Sequence, residues 1–95
     1  RWLTPPKDIA AFVTKANLTE FEAELFHFGR EPRAMTAELR MLRPGRYRVV
    51  LVHDAEKRSE RLGEVTLERG RFGKVSFTLP PQTTCTLRLE EATVQ

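Results

Sequence analysis

His27, His53 and Cys85 are the side chains of this 95-residue chain best suited to hold a metal ion or to act as base and nucleophile. Their spacing favours neither. The histidines are 26 residues apart. Neither has a second His at i+2 or i+4, the spacing that would put two imidazoles on one strand or helix face. A single cysteine excludes an internal disulfide and any multi-Cys zinc or iron–sulfur site. Cys85 shares its alternation with Leu87 and Leu89, which predicts a buried, inert thiol. Both histidines read as surface or strand-end residues.

Glu20, Glu22 and Glu24 are paired-carboxylate candidates for acid–base work. At i, i+2, i+4 they share the outer face of one strand and make no cleft. The five glycines fall at turns, so no glycine-rich phosphate loop exists. Asn17-Leu18-Thr19 is a glycosylation sequon, relevant only in a secreted eukaryotic protein. The expectation is no catalytic, cofactor-binding or metal site, and no cofactor.

Charge points the same way. The chain has 16 Lys+Arg, 13 Asp+Glu and a net charge of +3. Arg30, Arg33, Arg40, Arg43, Arg46 and Arg48 hold most of the surplus. A nucleic-acid surface would use Arg40, Arg46 and Arg48, but acidic residues are interleaved and aromatic stacking partners are few. The expected reading is a solvated face in which these arginines pair with Glu20, Glu22, Glu24 and Glu38. No apolar run approaches the ~18 residues of a membrane span, and no signal-peptide pattern precedes the domain. The first residue is Arg1, so the chain is expected to be a piece of a longer one.

The elements that would position these groups are strands. Residues 1–7, with Pro5 and Pro6, read as a linker, and residues 8–95 as one domain. Residues 8–14 read as a first strand. Residues 18–28 carry two periods. Phe21, Ala23 and Leu25 alternate with the glutamates, whereas Leu18, Phe21, Leu25 and Phe28 have helical spacing with a Thr19/Glu22 capping box. The strand reading is preferred, with a β-bulge after Leu25 to bring Phe26 and Phe28 into phase. Gly29 to Pro32 then turns the chain.

Met35, Ala37, Leu39 and Met41 alternate inward over 34–42, and Tyr47, Val49 and Leu51 over 46–53. Pro44-Gly45 between them suits a type II turn. Val50 and Val52 make the outer face of that strand apolar as well. Residues 54–60 read as a charged loop. Val65 and Leu67, then Val75, Phe77 and Leu79, then Cys85, Leu87 and Leu89 mark three further strands, with a turn at Gly70-Arg71. Seven short strands at roughly ten-residue spacing predict an all-β, antiparallel, immunoglobulin-like β-sandwich.

The run Leu42-Arg43-Pro44-Gly45-Arg46-Tyr47-Arg48-Val49 resembles the L-x-P-G-x-Y-x-V lead into a strand of fibronectin type III-like sandwiches. There the tyrosine hydroxyl bonds back to upstream backbone. The run from Gly73 to Leu89, with Pro80-Pro81 and an x-L-x-L finish, is similar to the closing hairpin of the sandwich that follows the catalytic barrel in many retaining glycosidases. The resemblance implies a non-catalytic accessory domain of a larger, glycoside-hydrolysing protein, extracellular or periplasmic, whose partner is the neighbouring domain. Trp2, Leu3, Val50 and Val52 are the expected docking surface. A carbohydrate- or protein-binding module, using Trp2 and one or two of Phe26, Phe28 and Phe72, is the alternative. A nucleic-acid-binding β-barrel ranks last.

Overall fold

The computed structural model describes residues 2–3, 8–40, 42–69 and 73–92. Among the described residues seven strands form: β1 (Ile9–Ala16), β2 (Glu20–His27), β3 (Arg33–Leu39), β4 (Gly45–His53), β5 (Arg58–Leu67), β6 (Gly73–Leu79) and β7 (Thr84–Glu91). The expected linker at Pro5-Pro6, the Gly70-Arg71 turn, Phe72 and the inward place given to Met41 lie outside the described residues.

All pairings between strands are antiparallel. One sheet has the order β1-β2-β7-β4-β5 and the other holds β3 and β6. The division is five and two, against four and three in a constant-type immunoglobulin domain. The buried hydrophobic residues are ones that the alternation singled out: Ala23 and Leu25, Met35, Ala37 and Leu39, Tyr47, Val49 and Leu51, Leu67, Val75, Phe77 and Leu79, Cys85, Leu87 and Leu89. Val65, also expected inward, is half-buried, and His27 and Thr86 are buried besides. Each strand contributes every second residue because side chains alternate across a pleat.

Several local expectations are corrected. No bulge follows Leu25. The β2 register against β7 runs unbroken from Glu20 to Phe26, so His27 takes the inward place after Ala23 and Leu25 and is buried. The bulge lies in β1, between Val13 and Lys15. A buried imidazole is tolerated because its nitrogens are satisfied. Nε2 donates to the Glu31 carbonyl at 2.6 Å, and Nδ1 accepts from the Gly29 N–H at 3.2 Å. A Cβ on Gly29 would stand 2.5 Å from His27 Cε1, so glycine is required by a close approach there.

The helical alternative for 18–28 fails at its cap. Asn17, not Thr19, organises that end: its Oδ1 accepts from the backbone N–H of Thr19 and of Glu20, both at 2.9 Å. The sequon triplet is thus the β1–β2 hairpin turn. The charged loop after His53 is also shorter than expected. One 3₁₀ turn, Asp54–Glu56, and Lys57 at φ 52° reverse the chain, and β5 begins at Arg58.

Neither Pro44-Gly45 nor Pro80-Pro81 sits in a hairpin. The chain crosses from one sheet to the other at both places, because β3 pairs only with β6, and β4 and β7 pair with each other. Gly45 stands at φ 152°, as the first residue of β4, and not at the centre of a type II turn. Proline supplies no N–H to a ladder, so it suits points where the chain leaves a sheet. Gln82 fixes the second crossing. Its backbone N–H donates to the His27 carbonyl at 2.8 Å, and its side-chain amide to the carbonyls of Phe28 and Gly29.

Candidate functional site

The fold brings Cys85 and His53 together, as neighbours across β4 and β7. Cys85 Sγ is 3.6 Å from His53 Nδ1, and His53 Nε2 is 2.9 Å from Glu60 Oε1. By residue type this is a nucleophile, a base and an orienting acid. Its environment opposes that chemistry. Cys85 is fully buried. Burial first, then the negative charges of Asp54 and Glu60, push its thiol up, although a weak bond from Thr83 opposes them. A nucleophilic cysteine needs the reverse. The contact is best described as a buried thiol donating to an imidazole that caps the β4–β5 hairpin. His27 lies at the same end of the sheet, two residues past Leu25, the β2 partner of Cys85, but its ring bonds to the backbone of Asp8, Gly29 and Glu31. Among the described residues no three His, Cys, Asp or Glu side chains are grouped so as to hold a metal ion.

The carboxylates and arginines are paired, most of them on the outer face of the five-stranded sheet, with Arg43–Glu91 at its end on the inward parity of Tyr47. Glu22 accepts from Arg88 Nε at 3.0 Å and from Thr14 Oγ1 at 2.8 Å. Glu20 pairs with Lys15 at 3.2 Å. Arg48 faces Glu90 at 4.0 Å, and Arg43 makes two bonds to Glu91 at 2.8 and 2.9 Å. Arg40 pairs with Glu38 on the other sheet. Arg40 therefore shares no face with Arg46 and Arg48, contrary to the expectation of one arginine hairpin.

The residues expected to dock do not share a face either. Trp2 pairs with Ala37 in an isolated antiparallel bridge, and the Leu3 N–H donates to the Thr36 carbonyl at 2.9 Å. The Trp2 ring meets Phe77 edge-on, 6.3 Å between centroids, and packs on the core. Leu3 points outward and is exposed. Val50 and Val52 lie on the opposite side of the molecule, half-buried on the outer face of β4. Val50 is flanked by Arg61 and Arg88, and Val52 by Ser59 and Thr86.

The exposed apolar surface lies elsewhere. The two-stranded sheet is too narrow to cover the inner face of β1 at the edge of the five-stranded one, and the outer face of β1 is exposed as well. Phe12 is 68% exposed, Val13 48%, Leu18 63% and Phe28 58%. On the inner side, Val13, Ala16, Phe21, Leu39 and Leu42 line a groove of about 270 Å³ between β1 and the end of β3. On the outer side, Phe12 lies near Phe26, whose ring stands 4.7 Å from that of Phe28. The sequence reading missed Phe12, Val13 and Leu18. The signal was present: in 9–13 every residue is apolar, so the strand has no polar face to turn to water. Such a strand is either central or an uncovered edge. Comparison with protein-family models, with curated proteins and with solved structures finds no match.

Proposed function

We propose that this chain is a non-catalytic accessory β-sandwich of a larger, glycoside-hydrolysing protein, and that it docks on its neighbouring domain through the open flank between β1 and β3. One observation carries the docking. Trp2 and Leu3 run antiparallel to β3, with Trp2 at the level of Ala37. Trp2 thus stands two residues along β3 from Leu39, where the apolar groove opens. A domain joined there emerges beside a surface lined by Val13, Phe21, Leu39 and Leu42, and apolar surface of this kind favours burial against a partner. The proposed docking surface is thus this groove, and not Val50 and Val52.

The immunoglobulin- or fibronectin-like kinship and the glycosidase context rest on the resemblance of Leu42–Val49 and of Gly73–Leu89. The tyrosine that the first stretch singles out supports it, since Tyr47 bonds back to the backbone of Arg43. The test has two parts. The purified chain folds and hydrolyses no aryl glycoside; hydrolysis by the purified chain overturns the proposal. In the longer protein encoded by the same reading frame, Leu42→Glu lowers the melting temperature of the adjoining domain. An unchanged value there overturns the docking.

The aromatic group Phe12, Phe26 and Phe28 favours a second reading, a carbohydrate-binding module, because exposed rings stack on sugar faces. Retardation in polysaccharide gels that is lost in Phe12→Ala and Phe28→Ala selects it.

A further inference from the structure

The five-stranded sheet ends in two unlike edges. At one end β5 carries Arg58, Glu60, Arg61 and Glu64, and a bulge at Leu62, where Val49 faces Gly63 and Val50 faces Arg61. Charges and bulges of this kind keep an edge from pairing. At the other end β1 has no charge between Asp8 and Lys15, and it is exposed from Ala10 to Ala16. Its register against β2 is regular from Ile9 to Val13 and breaks only after that. Five consecutive apolar residues therefore present a straight, unpaired backbone edge.

We propose that β1 pairs antiparallel with β1 of a second copy, about a two-fold axis at Ala11, and joins two sheets into one of ten strands. The side chains suit this register. Opposed residues in an antiparallel pair share a face. On the inner face Ile9 meets Val13 of the second copy, and Ala11 meets its counterpart. On the outer face Ala10 meets Phe12 of the second copy. Beside Ala10 is a shallow depression of about 360 Å³ whose walls include Phe12, Glu24, Phe26 and Thr84. A small residue next to Phe26 leaves room for the incoming ring, and Phe12 is the most exposed large apolar side chain of the described residues.

In this orientation the run is its own complement, because each Phe12 opposes an Ala10, whereas in-register parallel pairing sets the two Phe12 rings side by side. The association closes at two, because both edges of the joined sheet are then the charged β5. The dimer seam shares Val13 with the docking groove, whose remaining walls lie on the inner face toward Leu42.

Light scattering and cysteine cross-linking test it. Molar mass rises with concentration from 11.0 kDa to twice that value and no further. Ala11→Glu, which sets two carboxylates across the axis, keeps the chain monomeric while circular dichroism shows it folded. Mild oxidation of Ala11→Cys gives a covalent dimer, because residues opposed on the axis lie within disulfide reach. Val13→Cys does not, since its two copies fall four residues apart along the strands. Leu42→Glu leaves the dimer intact. A monomer at every concentration overturns the proposal, as does mass growing beyond two copies. Equal cross-linking through Val13→Cys, or loss of the dimer in Leu42→Glu, overturns it as well.

Discussion

The Tyr47 hydroxyl lies 2.6 Å from the carbonyl oxygen of Arg43, four residues upstream, and 3.2 Å from that of Leu18. One phenol thus ties the crossing from β3 to β4 to the β1–β2 turn. A second bond joins the same two places, from the Arg43 N–H to the Leu18 carbonyl at 2.8 Å. The ring is fully buried. Burial first, and then the charge of Glu91, pushes the phenol up.

Tyr47→Phe keeps the ring and removes the donor. It is expected to cost about 1–2 kcal/mol, the range for a part-buried bond whose loss strips the Arg43 carbonyl of this donor while the Leu18 carbonyl keeps the Arg43 N–H. For a domain of this size each kcal/mol lowers the melting temperature by about 4–8 °C. Urea denaturation with an unchanged slope measures it; an unchanged midpoint would show that the bond adds nothing. The wild-type chain also has an alkaline signature. The fold holds the phenol neutral, so this stability is complete below the unfolded phenol value of about 10 and is lost as pH rises toward the folded one. Tyr47→Phe lacks that loss.

Glu22 governs the acid side. A hydrogen bond from Thr14, then one from Arg88, holds its carboxyl below the usual range, and burial opposes them weakly. The unfolded chain therefore binds more protons in that window. The stability is present above the ordinary carboxylate value of about 4 and is lost as pH falls through the lowered one. Glu56 beside Arg58 and Glu91 beside Arg43 shift in the same direction. Glu22→Gln flattens the acid limb of a stability–pH curve; a curve parallel to wild type would sink the assignment.

Cys85 tests the reading of the Cys85–His53–Glu60 chain. Being buried and pushed up, the thiol is expected to react with an aromatic disulfide reagent at pH 8 only as fast as the domain opens. Sub-denaturing urea then accelerates the reaction in step with unfolding. His53→Ala leaves it slow in the folded state. Fast labelling of the folded chain, abolished by His53→Ala, would instead identify an activated nucleophile.

Much of the fold is written locally. Alternation in a strand depends only on the chain's own pleat, so the inward places of Met35, Tyr47, Val75 and Leu87 follow from sequence. So does the order of seven strands. What alternation leaves open is which strand lies beside which, since a strand with one apolar face satisfies it against any neighbour. For that reason Pro44-Gly45 reads as a turn between neighbouring strands and the resemblance puts Pro80-Pro81 in a closing hairpin, yet both mark crossings between sheets. The site follows the same division. Phe12 and Val13 are ordinary apolar residues in the sequence. Only tertiary structure leaves them exposed, by placing β1 at the sheet edge with Phe12 on the outer face and Val13 on an inner face that two strands are too few to cover. His27 inverts the case: its polarity suggests the surface, but Gly29 and Glu31 satisfy both ring nitrogens and allow it to be buried. Sequence determined which face each strand turns inward; the width of the second sheet decided which of those faces is covered.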